Sequence, residues 1–122
     1  MEDHEIEEVI ALLAEAGAID DASFASRYAN DKRLLAGWGP DRIERALETR
    51  GVPREHVEAA LEGEGEEAQL ERATSLLLGR GMECASERGR ERALGLLVRR
   101  GYPLELAYDA VRSAERAARD AA

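Results

Sequence analysis

One short pattern occurs twice in this chain, fifty residues apart. Leu-x-x-Arg-Gly-Val-Pro at residues 47–53 recurs as Leu-x-x-Arg-Gly-Tyr-Pro at residues 97–103, and apolar patterns at residues 57–61 and 107–111 follow the two copies. Glycine commonly ends helices and proline commonly begins them, so each copy predicts a helix, a turn and a second helix. A repeated helical unit of about 45 residues buries its apolar face best by packing against a neighbouring copy.

The helix that precedes each pattern also corresponds between the copies. Phe24 and Tyr28 match Leu70 and Thr74 at an offset of 46 residues. Since the later pattern has an offset of fifty, this match predicts a four-residue insertion near Gly81 in the second copy.

Composition favours helices throughout. Ala, Leu, Glu and Arg supply 72 of the 122 residues, whereas the β-branched Val, Ile and Thr supply only 11. Residues 6–16 carry apolar side chains at helical spacing; we expect Gly17 to end this helix, and Asp20 and Asp21 to cap the next one. The predicted fold is all-α, an elongated array of tandem three-helix repeats with about seven helices.

A polar, glycine-containing segment at residues 63–67 is the best candidate boundary within the chain. On this basis we predict three parts. Residues 1–19 form a partial first repeat with only its third helix, residues 20–62 form a complete repeat, and residues 63–122 form a second complete repeat with a helical C-terminal tail.

The net charge of −9 is unevenly distributed along the sequence. Residues 1–21 contain eight acids and no Lys or Arg, residues 62–71 contain five acids and no Lys or Arg, and the remaining residues carry a slight excess of base. This segregation suggests a surface for a charged partner, although ordinary solvated helix faces produce it more often.

Residues suited to catalysis are scarce. His4 and His56 have no matching partners in the sequence, and the single cysteine, Cys84, has no histidine nearby. Paired acids such as those at residues 20–21 and 66–67 are better explained as helix-capping groups, and the glycines are spaced as helix ends rather than as a phosphate-binding loop. Because no apolar run approaches a membrane span and cysteine is nearly absent, we predict a cytoplasmic protein that is not an enzyme and binds no cofactor or metal.

Residues 37–40, Gly-Trp-Gly-Pro, are predicted to join two helices through a tight turn. This turn is expected to gather Arg33, Arg42 and Arg45 around the indole of Trp38. A three-helix unit with a glycine-rich turn is also found in helix-turn-helix proteins that bind DNA. However, acidic side chains on the helix after the turn would face phosphates unfavourably, and Trp38 serves equally well as an apolar plug between helices.

Three motifs occur together in the first complete repeat. They are Ile-Asp-Asp-x-x-Phe-Ala-x-x-Tyr at residues 19–28, Gly-Trp-Gly-Pro-x-Arg-Ile-x-x-x-Leu-x-x-Arg-Gly-Val at residues 37–52 and Val-x-x-Ala-Leu at residues 57–61. This combination resembles the RecX family of bacterial regulatory proteins, whose tandem three-helix module is similar to the repeat described above. The resemblance runs from about Ile6 to Arg112, and the first helices of the family's N-terminal repeat are absent from this sequence.

The resemblance implies a non-enzymatic regulator that binds the RecA filament on DNA, inhibits or destabilises it, and so limits strand exchange, recombinational repair and SOS activity. We expect a monomer that makes at most weak contact with single- or double-stranded DNA and none with membranes. The candidate contact residues for the filament are bases and one aromatic residue: Arg27, Lys32, Arg33, Trp38, Arg42, Arg45, Arg92, Arg99 and Arg100. Two alternatives are a small DNA-binding module that uses the mildly basic stretch after Arg72 and a generic helical adaptor.

Overall fold

The computed structural model describes residues 3–121, which form six helices and no strand. The helices are α1 (Asp3–Ala36), α2 (Pro40–Thr49), α3 (Arg54–Glu62), α4 (Glu66–Gly79), α5 (Glu87–Arg99) and α6 (Leu104–Ala121). The all-helical prediction is therefore confirmed, with six helices in place of about seven. None of the helices in this part of the chain is long and apolar enough to cross a membrane.

The seventh helix was predicted from a break at Gly17, and this prediction is wrong. Helix α1 passes through Gly17 without interruption, so Asp20 and Asp21 lie inside a helix and do not cap one. A glycine inside a helix costs only about 1 kcal/mol relative to alanine. The surrounding residues 11–16 are mostly Ala and Leu, which are strong helix formers. One glycine without a proline is therefore not enough to end the helix.

The buried apolar residues form two separate cores. The second half of α1 packs with α2 and α3 around the first core, and α4, α5 and α6 pack around the second. We call these helix groups the first unit and the second unit. The first core consists of Ala25, Ala29, Ile43, Leu47, Val57 and Ala60. The second core consists of Ala73, Leu77, Cys84, Ala93, Leu97, Tyr102, Ala107, Ala110, Val111 and Ala114.

The beginning of α1 contributes to neither cluster. Residues 4–17 are exposed, including the apolar side chains of Ile6, Ile10 and Leu13. Helix α1 therefore has an exposed N-terminal part and a C-terminal part that belongs to the first unit. The predicted division at residues 19–20 and 62–63 stays a prediction.

Glycines at helix ends show how the two units correspond. Gly37 and Gly81 have positive φ angles of 65° and 64°, and Gly51 and Gly101 have angles of 81° and 96°. The first pair lies 44 residues apart and the second pair lies 50 apart, so the second unit contains six extra residues between its two glycines. Three of them lie in the loop after Gly81 and three in α5, which is longer than α2. The sequence match at an offset of 46, with a four-residue insertion, was therefore wrong by two residues.

The same register aligns the buried positions of the first helix in each unit. Ala25 and Ala29 of α1 are buried, and their counterparts 44 residues later are Gln69 and Ala73 of α4, which are also buried. Matching Phe24 and Tyr28 to Leu70 and Thr74 aligned positions that are only half-buried in both helices. The buried positions lie one residue after the matched ones in α1 and one residue before them in α4, which accounts for the error of two.

Candidate functional site

The two units meet through backbone atoms at the turn before α2 and the turn after α5. The N–H of Gly39 donates to the carbonyl oxygen of Arg100 at 2.8 Å, and the N–H of Asp41 donates to that of Gly101 at 2.9 Å. A Cβ atom on Gly39 would lie 2.6 Å from the Gly101 carbonyl oxygen, and a Cβ atom on Gly101 would lie 2.3 Å from the Cβ atom of Arg42. Both glycines are therefore required by the close approach of the two backbones.

Arg72 of α4 ties this junction together with its side chain. Its guanidinium forms an ion pair with Glu64, donates to the Trp38 carbonyl oxygen at 3.0 Å and donates to the Tyr102 hydroxyl at 3.0 Å. The Tyr102 hydroxyl in turn donates to the Gly37 carbonyl oxygen at 2.9 Å. One arginine thus connects the second unit, the linker between the units and the turn of the first unit.

The protonation of this network follows from burial and charge. Burial opposes the charged form of Arg72, but the hydrogen bond to Glu64 and the interactions with Tyr102 outweigh it, so the pKa of Arg72 is raised. Burial raises the pKa of the Tyr102 hydroxyl, against the opposing effect of Arg72. Tyr102 is therefore a neutral hydrogen-bond donor and acceptor at physiological pH.

Arg33, one of the predicted contact residues for the filament, is buried. The residue is only 7% exposed. Nη2 of its guanidinium donates to the Ala60 carbonyl oxygen at 2.9 Å. Its Nε lies 3.4 Å from the Glu64 carboxylate. Desolvation lowers the pKa of Arg33 despite this neighbouring carboxylate. In the register of the two units, Arg33 stands where the second unit has the buried Leu77.

The first unit carries a cluster of bases and aromatic rings on its surface. We call it the Trp38 surface and define it by Tyr28, Lys32, Trp38, Arg42, Arg45 and Arg50. The Lys32 ammonium lies 4.8 Å from the centre of the Trp38 ring, and the Arg42 guanidinium lies 4.3 Å from it. Lys32 and Arg50 lie 5.4 Å and 5.0 Å from the centre of the Tyr28 ring. Trp38 is half-buried and also packs against the first core.

None of the four bases on the Trp38 surface forms an ion pair with a carboxylate in the described structure. Two of the three acids of α2 form ion pairs elsewhere: Glu44 and Glu48 lie 3.7 Å and 2.7 Å from the guanidinium of Arg54, on α3. Helix α2 thus has an acidic side paired to Arg54 and a basic side left unpaired. The acidic side chains that argued against an anionic partner do not neutralise the Trp38 surface.

A groove of about 830 Å³ lies between the units, next to the Trp38 surface. We call it the inter-unit groove. Its lining residues come from the end of α1, the following turn, α4 and the turn after α5: Arg33, Leu34, Leu35, Ala36, Gly37, Trp38, Arg42, Arg72, Ser75, Leu76, Arg80 and Arg100. Arg100 is held there because its Nη1 donates to the Ala36 carbonyl oxygen at 2.5 Å. Five of the lining residues are arginines and none is acidic.

The predicted contact residues are only partly brought together. Lys32, Trp38, Arg42 and Arg45 share the Trp38 surface, and Arg100 lies in the adjoining groove. The other predicted bases lie elsewhere. Arg27 is exposed on α1, with Nε 3.5 Å from the Ser23 carbonyl oxygen, and Arg92 and Arg99 are exposed on α5.

Sequence reasoning missed Arg50 of the Trp38 surface and two arginines of the inter-unit groove, Arg72 and Arg80. The repeat contained a signal for Arg50, because it is the counterpart of Arg100 fifty residues earlier. No comparable signal marked Arg72, whose role depends on Glu64 and Tyr102 reaching it in the folded chain.

The groups considered for catalysis are dispersed. His56 Nε2 lies 3.6 Å from the Glu55 carboxylate, and Cys84 is buried in the second core, where burial raises the pKa of its thiol. Among the described residues, no group of three or more His, Cys, Asp or Glu side chains is arranged to hold a metal ion.

Fold and site together define a helical-repeat protein with a basic surface at the junction of two units. Residues 20–61 match the family model described as RecX, second three-helix domain. The Regulatory protein RecX of Listeria monocytogenes serotype 4a (strain HCC23) is 32% identical over 117 residues, which cover 93% of this chain and 44% of that protein. That of Thermobifida fusca (strain YX) is 34% identical over 116 residues, covering 90% of this chain and 61% of that protein.

A solved structure agrees with the sequence comparison. The crystal structure of RecX from Lactobacillus salivarius matches with a TM-score of 0.72 and 19% identity, covering 93% of this chain and 76% of that one. At this identity the match shows the fold alone. Sequence and structure comparisons thus agree on the RecX family as the one this chain resembles, and the chain spans about half the length of the curated relatives it matches.

Proposed function

We propose that this chain is a non-enzymatic regulator that binds the RecA filament on DNA and inhibits or destabilises it. The observation that carries the proposal is the Trp38 surface, where four bases lie without carboxylate partners among residues 3–121, in a chain of net charge −9. The names of the relatives, Regulatory protein RecX, support a regulatory role. A filament offers anionic groups from both protein and DNA phosphate to such a surface.

The aromatic rings make this surface suitable for binding. Lys32, Arg42 and Arg50 lie over the rings of Tyr28 and Trp38, which restricts the freedom of these long side chains before any partner arrives. Side chains that are already ordered lose less conformational entropy on association. The backbone hydrogen bonds of the junction hold the second unit in a fixed orientation beside this surface.

The test is the single-stranded-DNA-dependent ATPase activity of RecA from the same bacterium, measured with substoichiometric amounts of the protein. We expect inhibition well below one protein per RecA. A triple variant, Lys32→Glu, Arg45→Glu and Arg50→Glu, should require at least about ten times more protein for the same inhibition, since charge reversal converts attraction into repulsion. A matched triple variant with the same charge change at exposed positions of the second unit, Arg88→Glu, Arg116→Glu and Arg119→Glu, should inhibit like the unmodified protein.

Two results would contradict the proposal. Absence of inhibition by the unmodified protein at equimolar or higher concentration would remove the filament role. Equal loss in both triple variants would show that net charge matters and the Trp38 surface does not. Tight binding to bare DNA with a steep salt dependence, and no effect on RecA, would instead assign the chain to DNA-binding modules.

A further inference from the structure

Two neighbouring leucines on the rim of the inter-unit groove are almost fully exposed. Leu34 is 82% exposed and Leu35 is 85% exposed, at the end of α1 where the helix leaves the first core. A single exposed leucine on a protein surface needs no explanation. A pair beside a concave site is different, because apolar side chains lining a groove provide area for a ligand to cover.

The charge in the groove is also unbalanced. Arg33 and Arg72 share the Glu64 carboxylate, but the other three arginines have no carboxylate partner in the part of the chain that the structure describes. Arg42 and Arg100 are held by the backbone carbonyl oxygens of Arg99 and Ala36, so their charges stay available. The guanidinium of Arg80 makes neither a hydrogen bond nor an ion pair within the same residues.

Leucines and unpaired arginines together restrict the class of ligand. A nucleic acid would satisfy the arginines but would leave Leu34 and Leu35 exposed, and a purely apolar segment would cover the leucines but desolvate unpaired guanidinium groups at a cost. An amphipathic helix with acidic and apolar residues offers both kinds of contact from one face. We propose that the inter-unit groove is a docking site for an acidic amphipathic helix of a partner protein.

The groove is built before any ligand arrives. Its walls come from both units, and the backbone hydrogen bonds from Gly39 and Asp41 hold those walls together. A Cβ atom on Gly37 would lie 3.4 Å from Nη1 of Arg100 and 3.6 Å from Cδ1 of Leu76, so the floor is already close-packed. Its volume of about 830 Å³ lies within the range of about 300–1,000 Å³ typical of ligand pockets.

The inter-unit groove shares Trp38 and Arg42 with the Trp38 surface, but the residues tested here, Leu34, Leu35 and Arg80, lie outside that surface. The inference does not require RecA to be the partner. The probe is a fluorescein-labelled 18-residue helical peptide of Glu and Leu with leucines along one face. Its binding to the full chain is measured by fluorescence anisotropy. We expect saturable binding of this peptide. Two control peptides, one with Lys in place of Glu and one with Ser in place of Leu, should each bind at least about tenfold more weakly.

Variants of the protein then locate the binding site. Arg80→Glu and the double variant Leu34→Ser, Leu35→Ser should each weaken peptide binding at least about tenfold, while circular dichroism shows an unchanged fold because these side chains are exposed. Arg88→Glu and Leu104→Ser, exposed residues outside the groove, are the matched controls and should bind the peptide normally.

The outcomes separate this inference from the proposed function. No saturable binding up to about millimolar peptide, equal binding of the Ser peptide, or equal loss in the control variants would overturn the docking site. Tighter binding of a 20-nucleotide single strand, lost in Arg80→Glu, would overturn it in favour of nucleic acid. Peptide binding by a chain that leaves RecA activity unchanged would support the groove and contradict the filament role.

Discussion

The two units are built on one pattern but close their cores in different ways. In the second unit, the last core-facing residue of the first helix is Leu77, whose apolar side chain is fully buried. In the first unit the equivalent position is Arg33, whose charge is met by Glu64 from the linker and whose Nη2 is bound by the Ala60 carbonyl oxygen. The first unit is therefore completed by a group from outside its helices, whereas the second has an apolar core.

The connection extends across the junction, because Glu64 also pairs with Arg72 of the second unit. A buried ion pair contributes little net stability compared with apolar packing, but removal of one partner is costly. The first unit therefore depends on a carboxylate of the linker to complete its interior, and the same carboxylate attaches it to the second unit. The basic surface and the groove both lie at this attachment.

The largest expected effect separates two equivalent glycines. Gly51 and Gly101 both end the second helix of their unit with positive φ, but only Gly101 touches the other unit. Gly51→Ala should cost about 1 kcal/mol of unfolding free energy for the left-handed backbone. Gly101→Ala adds a collision with Arg42 and should cost about 3 kcal/mol or more. Urea denaturation of both variants measures the difference, and equal losses would mean that the junction does not contribute to stability.

The next effect tests the shared carboxylate. Glu64→Gln leaves Arg33 and Arg72 without a counter-charge in a largely buried position, and should cost about 2 kcal/mol. Arg33→Leu places in the first unit the residue type that the second unit has at the equivalent position, Leu77, and leaves Glu64 paired with Arg72. It should therefore reduce the free energy of unfolding by less than Glu64→Gln does. The exposed Glu62→Gln is the control and should be nearly neutral. A larger loss from Arg33→Leu than from Glu64→Gln would show that the arginine, and not the carboxylate, organises the junction.

The smallest effect concerns the loop that only the second unit has. The Glu83 carboxylate accepts from the N–H groups of Ala85 and Ser86 and from the Ser86 hydroxyl. These hydrogen bonds, of which that from the Ser86 hydroxyl has the largest effect, lower the pKa of Glu83 in the folded chain. Their stabilising effect is therefore complete above the pKa that Glu83 has in the unfolded chain, and it is lost as the pH falls through the lower pKa of the folded chain. Hydrogen exchange at Ala85 and Ser86 should become faster, relative to exposed reference amides, as the solution is acidified. Glu83→Gln should show no such acid dependence, and an unchanged profile in this variant would contradict the assignment.

Sequence alone predicted the helices that are bounded by strong local signals. Gly51 and Gly101 end helices, and Pro40 begins one, because these residues act through their own backbone preferences. Gly17 shows the limit of this reasoning, since its neighbours were sufficient to continue the helix.

The candidate site was less accessible to sequence reasoning than the fold. Local spacing predicted Arg42 beside the indole of Trp38, as the structure has it, but named Arg33 where the structure places Lys32. The burial of Arg33 depends on Ala60 and Glu64, which are distant in sequence and reach it only in the folded chain. A basic residue in a helical pattern is ordinarily assigned to the surface, so this exception could not be found without the structure.

The turn at Gly101, which accepts hydrogen bonds from the first unit, has an equivalent at Gly51. At Gly51 and Gly101 alike, the glycine N–H and the N–H of the next residue return to carbonyl oxygens of the preceding helix, with N–O distances of 2.9–3.1 Å. The turn at Gly101 accepts the hydrogen bonds of the first unit, and the turn at Gly51 is exposed, with nothing within 4 Å of the position of a Cβ atom. A protein engineer could therefore use the turn at Gly51 as an attachment point. A unit with the Gly-Trp-Gly-Pro turn placed before it would add one step to the array without redesign of any core.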